Sequence, residues 1–221
     1  MTTFVRHMVA LVAAVLFSVV GEGAMAQEYT NPFMLDSGNQ SRVRTEWGVG
    51  VGGVYTGFNS ISSTGVTLNP RLAFQGHLNM AVLFGRYFGV ESGFVYETGG
   101  IDAEYRGKSY DISTSTFEMP LLLSLRFWDG VVRANAGVEF GLMSDGGYLD
   151  GVDSYLFGTV MPTWNLATSI GVRVVPNVVI ELRYIQALQD GVNQLGATNK
   201  GAGHDFTTRI HKVVLGVSLL L

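Results

Sequence analysis

Six glutamates and six cationic side chains share the polar face of a set of alternating segments. Glu46, Glu91, Glu97, Glu118, Glu139 and Glu181 stand there with Arg71, Arg126, Arg133, Arg173, Arg183 and Lys212. Carboxylates and cations in such numbers could line a polar conduit or relay protons. They could equally interlock as a structural network in place of an apolar core. Desolvation costs several kcal/mol per buried ion, and only dense pairing with hydrogen bonds offsets that. A narrow lumen cannot hold these side chains and a water column together, so the network is expected to close it.

The other reactive side chains form no catalytic constellation. His77, His204, Asp205 and His211 are the candidates, and a hydrolase would need a nucleophile, a base and an orienting carboxylate within mutual reach. His204 and Asp205 are adjacent, and adjacent residues of an extended strand point apart. No serine motif accompanies them, and the chain has no cysteine for thiolate or disulfide chemistry. The expectation is a non-enzyme without cofactor. The segment Ser144 to Met161 carries Asp145, Asp150 and Asp153, whose spacing fits no EF-hand, so no metal site is expected. The same segment holds Tyr148, Leu149, Tyr155, Leu156 and Phe157, a candidate contact patch for a protein, a glycan or a lipid headgroup.

The elements that would position these groups are eight alternating runs. They are Thr45 to Phe58, Arg71 to Leu83, Tyr87 to Thr98, Ser113 to Trp128, Val131 to Met143, Pro162 to Val175, Val178 to Leu188 and Thr207 to Leu221. Each is long enough to cross a bilayer at a tilt, which takes about 9 to 11 residues. Phe84-Gly85-Arg86, Asp129-Gly130 and Pro176-Asn177 read as tight turns, with Asp-Gly the usual type I′ signal. Asn59 to Pro70, Gly99 to Ile112, Ser144 to Met161 and Gln189 to Phe206 read as long polar or glycine-rich loops. Short turns at one end and long loops at the other is the outer-membrane arrangement, with the turns in the periplasm.

Ahead of the runs, Arg6 and His7, the apolar stretch Met8 to Val20 and Ala24-Met25-Ala26 have the form of a cleaved signal peptide over residues 1–26. The apolar stretch is short for a transmembrane helix, the reading in which it stays as an uncleaved anchor. Residues 27–44 read as a polar periplasmic tail, and residues 45–221 as the barrel domain. Only 14% of the residues are charged, 29 are glycine, and the net charge is −4. This balance does not suit a nucleic-acid partner.

Periodicity leaves open which face is inside, and a soluble lipocalin-like barrel with an apolar pocket shares the same alternation. Two features favour lipid outside. Gly48, Gly50, Gly52, Gly89, Gly93, Gly137, Gly141, Gly171 and Gly216 lie on the polar face, where backbones crowd a narrow lumen. Trp47, Tyr87, Phe88, Phe127, Trp128, Trp164 and Tyr184 cluster toward run ends, as membrane girdles require. The fold class expected is therefore all-β: an eight-stranded antiparallel up-and-down transmembrane β-barrel after a cleaved signal peptide.

The layout resembles the eight-stranded outer-membrane β-barrel domain family that includes PorT-like proteins. The resemblance lies in Trp47-Gly48-Val49-Gly50-Val51-Gly52-Gly53, in Gly89-Val90-Glu91-Ser92-Gly93-Phe94-Val95-Tyr96 and above all in Phe117-Glu118-Met119-Pro120-Leu121-Leu122-Leu123. Gly171-Val172-Arg173 through Glu181-Leu182-Arg183-Tyr184 is similar to the family's "G…ELRY" pattern. It implies an outer-membrane protein, monomeric by default, surrounded by lipid and inserted by the barrel-assembly machinery. Its role would be structural, surface-interacting or accessory to secretion and envelope assembly. The alternative is a small transporter or ligand-binding barrel, which needs a continuous cavity.

Overall fold

Alternation of β-branched or aromatic residues with small and polar ones favours extended backbone with two unlike faces. The computed structural model describes residues 43–60, 65–151, 153–156, 163–195 and 204–221. The expected signal peptide and nearly all of the expected tail lie outside the described residues.

The strands are β1 (Val43–Ser60), β2 (Val66–Pro70), β3 (Ala73–Phe84), β4 (Phe88–Tyr105), β5 (Lys108–Phe127), β6 (Val132–Asp150), β7 (Asp153–Leu156), β8 (Thr163–Val175), β9 (Val178–Ala187), β10 (Gly191–Leu195) and β11 (His204–Leu220). β2 and β3 both pair with β4, β7 and β8 with β6, and β9 and β10 with β11. Each couple is one interrupted stave, so the eleven strands of the described residues make eight staves. All pairings are antiparallel, and β11 returns to β1, which closes the ring.

Closure needs a stagger. The register runs from Glu46 through Ala81, Glu91, Leu122, Gly137, Ala167, Ile185 and Lys212 and re-enters β1 at Thr56, ten residues further along. That shear tilts the staves and sets a lumen just wide enough to be filled by side chains.

The outward face is apolar. Val51, Phe74, Leu78, Phe94, Leu121, Leu123, Leu166, Ile170, Leu182 and Leu215 are all exposed, whereas Glu91, Glu139 and Arg183 are buried. A water-soluble barrel would reverse that distribution, so lipid lies outside.

The strands outrun the expected segments. β1 starts at Val43, paired with Phe84, so the last two residues of the expected tail belong to the barrel. Gly99 to Ile112, read as a long loop, is instead a continuous β4–β5 hairpin closed by Arg106-Gly107. Both turn residues have positive φ, 51° and 73°, as a type I′ turn requires. β6–β7, β10 and the start of β11 likewise carry the wall beyond the span. At the other end Asp129-Gly130 does not close a two-residue turn. Trp128 also has positive φ, and the connection takes four residues before β6 begins at Val132.

Beyond the span the barrel acquires a second, ordinary apolar core. Ile101, Ala103, Tyr110, Ile112, Tyr148, Leu195 and Phe206 are buried together inside the extended wall. A bulge makes this arrangement. Phe117 pairs with Met143 but Glu118 pairs with Gly141, leaving Leu142 as an extra residue on β6. Leu142 and Met143 then both face outward, and every later residue of β6 changes side.

Candidate functional site: a tiered charge stack beneath an upper chamber

The lumen charges form three tiers along the barrel axis. Nearest the short turns, Glu46 faces three cations, Arg126 at 3.4 Å, Arg173 at 3.5 Å and the half-exposed Arg44 at 3.8 Å. In the middle, Arg133 donates to Glu181 (2.7 Å) and lies 3.9 Å from Glu91, while Arg183 donates to Glu181 (2.8 Å) and to Glu139 (3.5 Å). Asn79 donates to the same Glu91 (3.1 Å). In the upper tier Lys212 Nζ donates to Glu97 (2.8 Å) and to Glu118 (3.0 Å). His77 sits among these groups with its ring nitrogen 2.8 Å from the Ser218 hydroxyl.

Eleven of the twelve charged residues named from sequence are in this stack. Arg71 is not. Its guanidinium pairs with Asp102 and Asp111 and is 42% exposed, because the break between β2 and β3 lets it reach the outer side of the wall. Among the described residues the stack therefore holds six carboxylates against five buried cations, with Arg44 at its open lower end. The charges are unevenly placed: three cations around one carboxylate near the short turns, and two carboxylates for one cation at the top.

Above the upper tier lies a chamber of about 150 Å³. Glu97, Glu118 and Lys212 belong to its lining, together with Thr116, Asn165, Ala73, Ile101 and Ala187. Asn165, Thr116 and the β6 bulge escaped sequence reasoning. The alternation places Asn165 inside, but no pattern marks it as one side of a cavity.

The contact patch divides. Tyr148 is buried, 4% exposed, with its ring against Tyr110 (5.0 Å, edge on) and Tyr155 (5.4 Å, stacked). This corrects the reading of Tyr148 as an exposed contact residue: the bulge turns it inward. Tyr155 is half-buried beside it, whereas Leu149 and Leu156 are exposed. Phe157 lies outside the described residues. Asp150 accepts a hydrogen bond from Lys108 across the hairpin tops, and that bond raises the Lys108 ammonium above its ordinary range. Partial desolvation, then the nearby Asp153 and Asp150, raise the Tyr155 phenol.

His204 and Asp205 diverge as strand geometry requires. His204 stacks on Tyr105 inside the wall (4.7 Å between centroids), while Asp205 accepts from Gln194 on the exposed face (2.7 Å). Among the described residues no group of three or more His, Asp or Glu is placed to hold a metal ion.

This ring, with lipid-facing apolar staves and an ionic interior, defines an integral outer-membrane β-barrel. Residues 25–192 match the model of the outer membrane protein beta-barrel domain, and the chain belongs to that family. No curated protein matches the chain. Among solved structures it is similar to the outer membrane protein OprG from Pseudomonas aeruginosa, with 11% identity over 83% of this chain and 98% of that one and a TM-score of 0.52. It also matches Neisserial surface protein A, with 12% identity over 78% of this chain and 96% of that one and a TM-score of 0.49. These likenesses concern the fold alone, and the outer-membrane location follows from the family.

Proposed function

We propose that this protein is a non-enzymatic, closed-lumen barrel whose working surface is the extended wall beyond the membrane. As the PorT-like resemblance implies, that surface would serve a structural or surface-interaction role, or support secretion and envelope assembly. The observation that carries the reading is the three-tier ion stack. Arg133, Arg183 and Lys212 each bridge two carboxylates and are 4% exposed or less at the side chain, which leaves the middle of the lumen to side chains. The exposed Leu149 and Leu156, beside the carboxylates of the β6–β7 hairpin, offer a protein or glycan partner an apolar contact with a polar rim. Lipid surrounds the staves, and the barrel-assembly machinery would insert them.

The test is single-channel recording of the refolded chain in planar bilayers, with heat-modifiable gel mobility as proof of folding. A folded, silent barrel supports the reading. A stable conductance overturns it in favour of a transporter. Pulldown with a variant lacking the β6–β7 hairpin tip then separates a surface-interaction role, in which capture is lost, from envelope support.

A further inference from the structure

The upper tier is short of one cation. Glu97 and Glu118 share Lys212, and Glu139, partnered by Arg183 at 3.5 Å, stands next to Glu118. The register sets Glu139 directly beside Asn165. Around this group, buried polar atoms lack any hydrogen-bond partner: Oε2 of Glu118, Oε1 of Glu139, Oγ1 of Thr116, and both Oδ1 and Nδ2 of Asn165. Asn165 is only 1% exposed. Buried polar groups are satisfied in nearly all native structures, so a cluster of orphans against a cavity marks the place of an absent partner.

The chamber supplies the room. Glu118, Thr116 and Asn165 all line it, as do the acidic Asp145 and the cationic Arg71, whose charge is already paired with Asp102 and Asp111, and the remaining lining includes the apolar Ala73, Ile101, Ala187 and Ile210. The lining is mostly apolar with these polar groups set into it, and a cavity of about 150 Å³ that meets unpartnered buried polar atoms does not stay empty, since empty cavities are wholly apolar ones. Its chemistry selects the occupant. Carboxylate, hydroxyl and amide oxygens ask for hydrogen-bond donors, and the surplus carboxylate asks for positive charge. The apolar wall accepts a short hydrocarbon group. Calcium takes six to eight oxygen ligands, more than the unpartnered oxygens present. A primary ammonium carries three donors and one charge on an alkyl stem.

We infer that the chamber above Lys212 is a binding site for a small alkylammonium ion, its ammonium held by Glu118, Thr116 and Asn165 and its alkyl group against Ala73, Ile101 and Ala187. The site is separate from the middle tier and does not depend on whether the lumen conducts.

The test is isothermal titration of methylammonium chloride into the refolded full chain in detergent at constant ionic strength, with sodium chloride as the control titrant. The expected result is saturable binding of methylammonium alone. Affinity falls at least tenfold in Asn165→Leu and in Ala187→Met, which fills the chamber. It is unchanged in Arg86→Gln at the exposed short-turn end. Glu118→Gln should lose binding as well; where that variant fails to fold by gel mobility, the other two carry the test. A flat titration overturns the inference, as it would if Glu118 and Glu139 shared a proton instead. Equal heats from sodium, or native affinity in Asn165→Leu and Ala187→Met, overturn it too.

Discussion

Tyr110 of β5 and Tyr148 of β6 meet edge to face, ring centroids 5.0 Å apart, inside the wall beyond the membrane span. They meet because the extra residue Leu142 reverses the facing of everything after it on β6. The external part of this barrel is thus built like a small water-soluble domain, with apolar side chains inward, on top of a span built the other way round.

That reversal is testable at Tyr148. Tyr148→Ala removes a buried ring from a seven-residue cluster, and large-to-small aromatic truncations cost about 3 to 5 kcal/mol. The loss is confined to the external hairpins, so urea unfolding in detergent should gain an early phase while the lipid-facing staves persist. Leu149→Ser, one residue away and 76% exposed, should change stability by no more than about 0.5 kcal/mol. Equal effects at the two positions would refute the inward assignment.

Arg183 bridges Glu181 and Glu139 through three hydrogen bonds. Arg183→Ala leaves Glu139 with no ion-pair partner and Glu181 with Arg133 alone. Breaking a buried pair from one side costs about 3 to 5 kcal/mol, because the remaining charge is uncompensated. The double variant Arg183→Met with Glu139→Gln should recover most of that loss. Refolding yield and urea midpoints measure both.

The alternation alone places Glu91, Glu97, Glu118, Glu139, Glu181 and their partners inside, since a strand's period fixes its faces once one face meets lipid. It places Arg71 there too, and fails because parity says nothing about a break between strands that frees a long side chain. Tyr148 fails for a related reason. A single inserted residue is invisible in composition, yet it inverts the facing of a whole strand end. The hairpin at Arg106-Gly107 was legible from its glycine, but the polar residues around it obscured it. Above the membrane a strand no longer needs an apolar outer face, so the alternation weakens where the strand continues.

Glu118→Ala should not open a pore. Lys212 keeps Glu97, and the middle tier below retains Arg133, Arg183, Glu91, Glu139 and Glu181. The expected outcome is a lower urea midpoint with conductance still absent in planar bilayers. A large new conductance would mean that the upper tier alone seals the lumen.

The glycines of the inner face separate into two kinds, and two of them can be set against each other. A Cβ on Gly137 would press on the backbone of β5, 2.9 Å from the Leu122 Cα, whereas one on Gly216 would find nothing nearer than 3.5 Å. Backbone that is hydrogen-bonded on both sides cannot move aside, so Gly137→Ala must open the β5–β6 pairing, at the roughly 1 to 3 kcal/mol typical of overpacking. Gly216→Ala meets only ordinary contacts and should stay within about 0.5 kcal/mol of the native chain. Both residues lie on the inner face of the same ring, Gly137 half-buried and Gly216 buried, and neither has positive φ, so lost backbone freedom is common to the pair and the close approach is the main difference. Urea unfolding of the refolded variants reads the difference directly. If Gly216→Ala proves as costly as Gly137→Ala, crowding of adjacent staves is not what places glycine in this lumen.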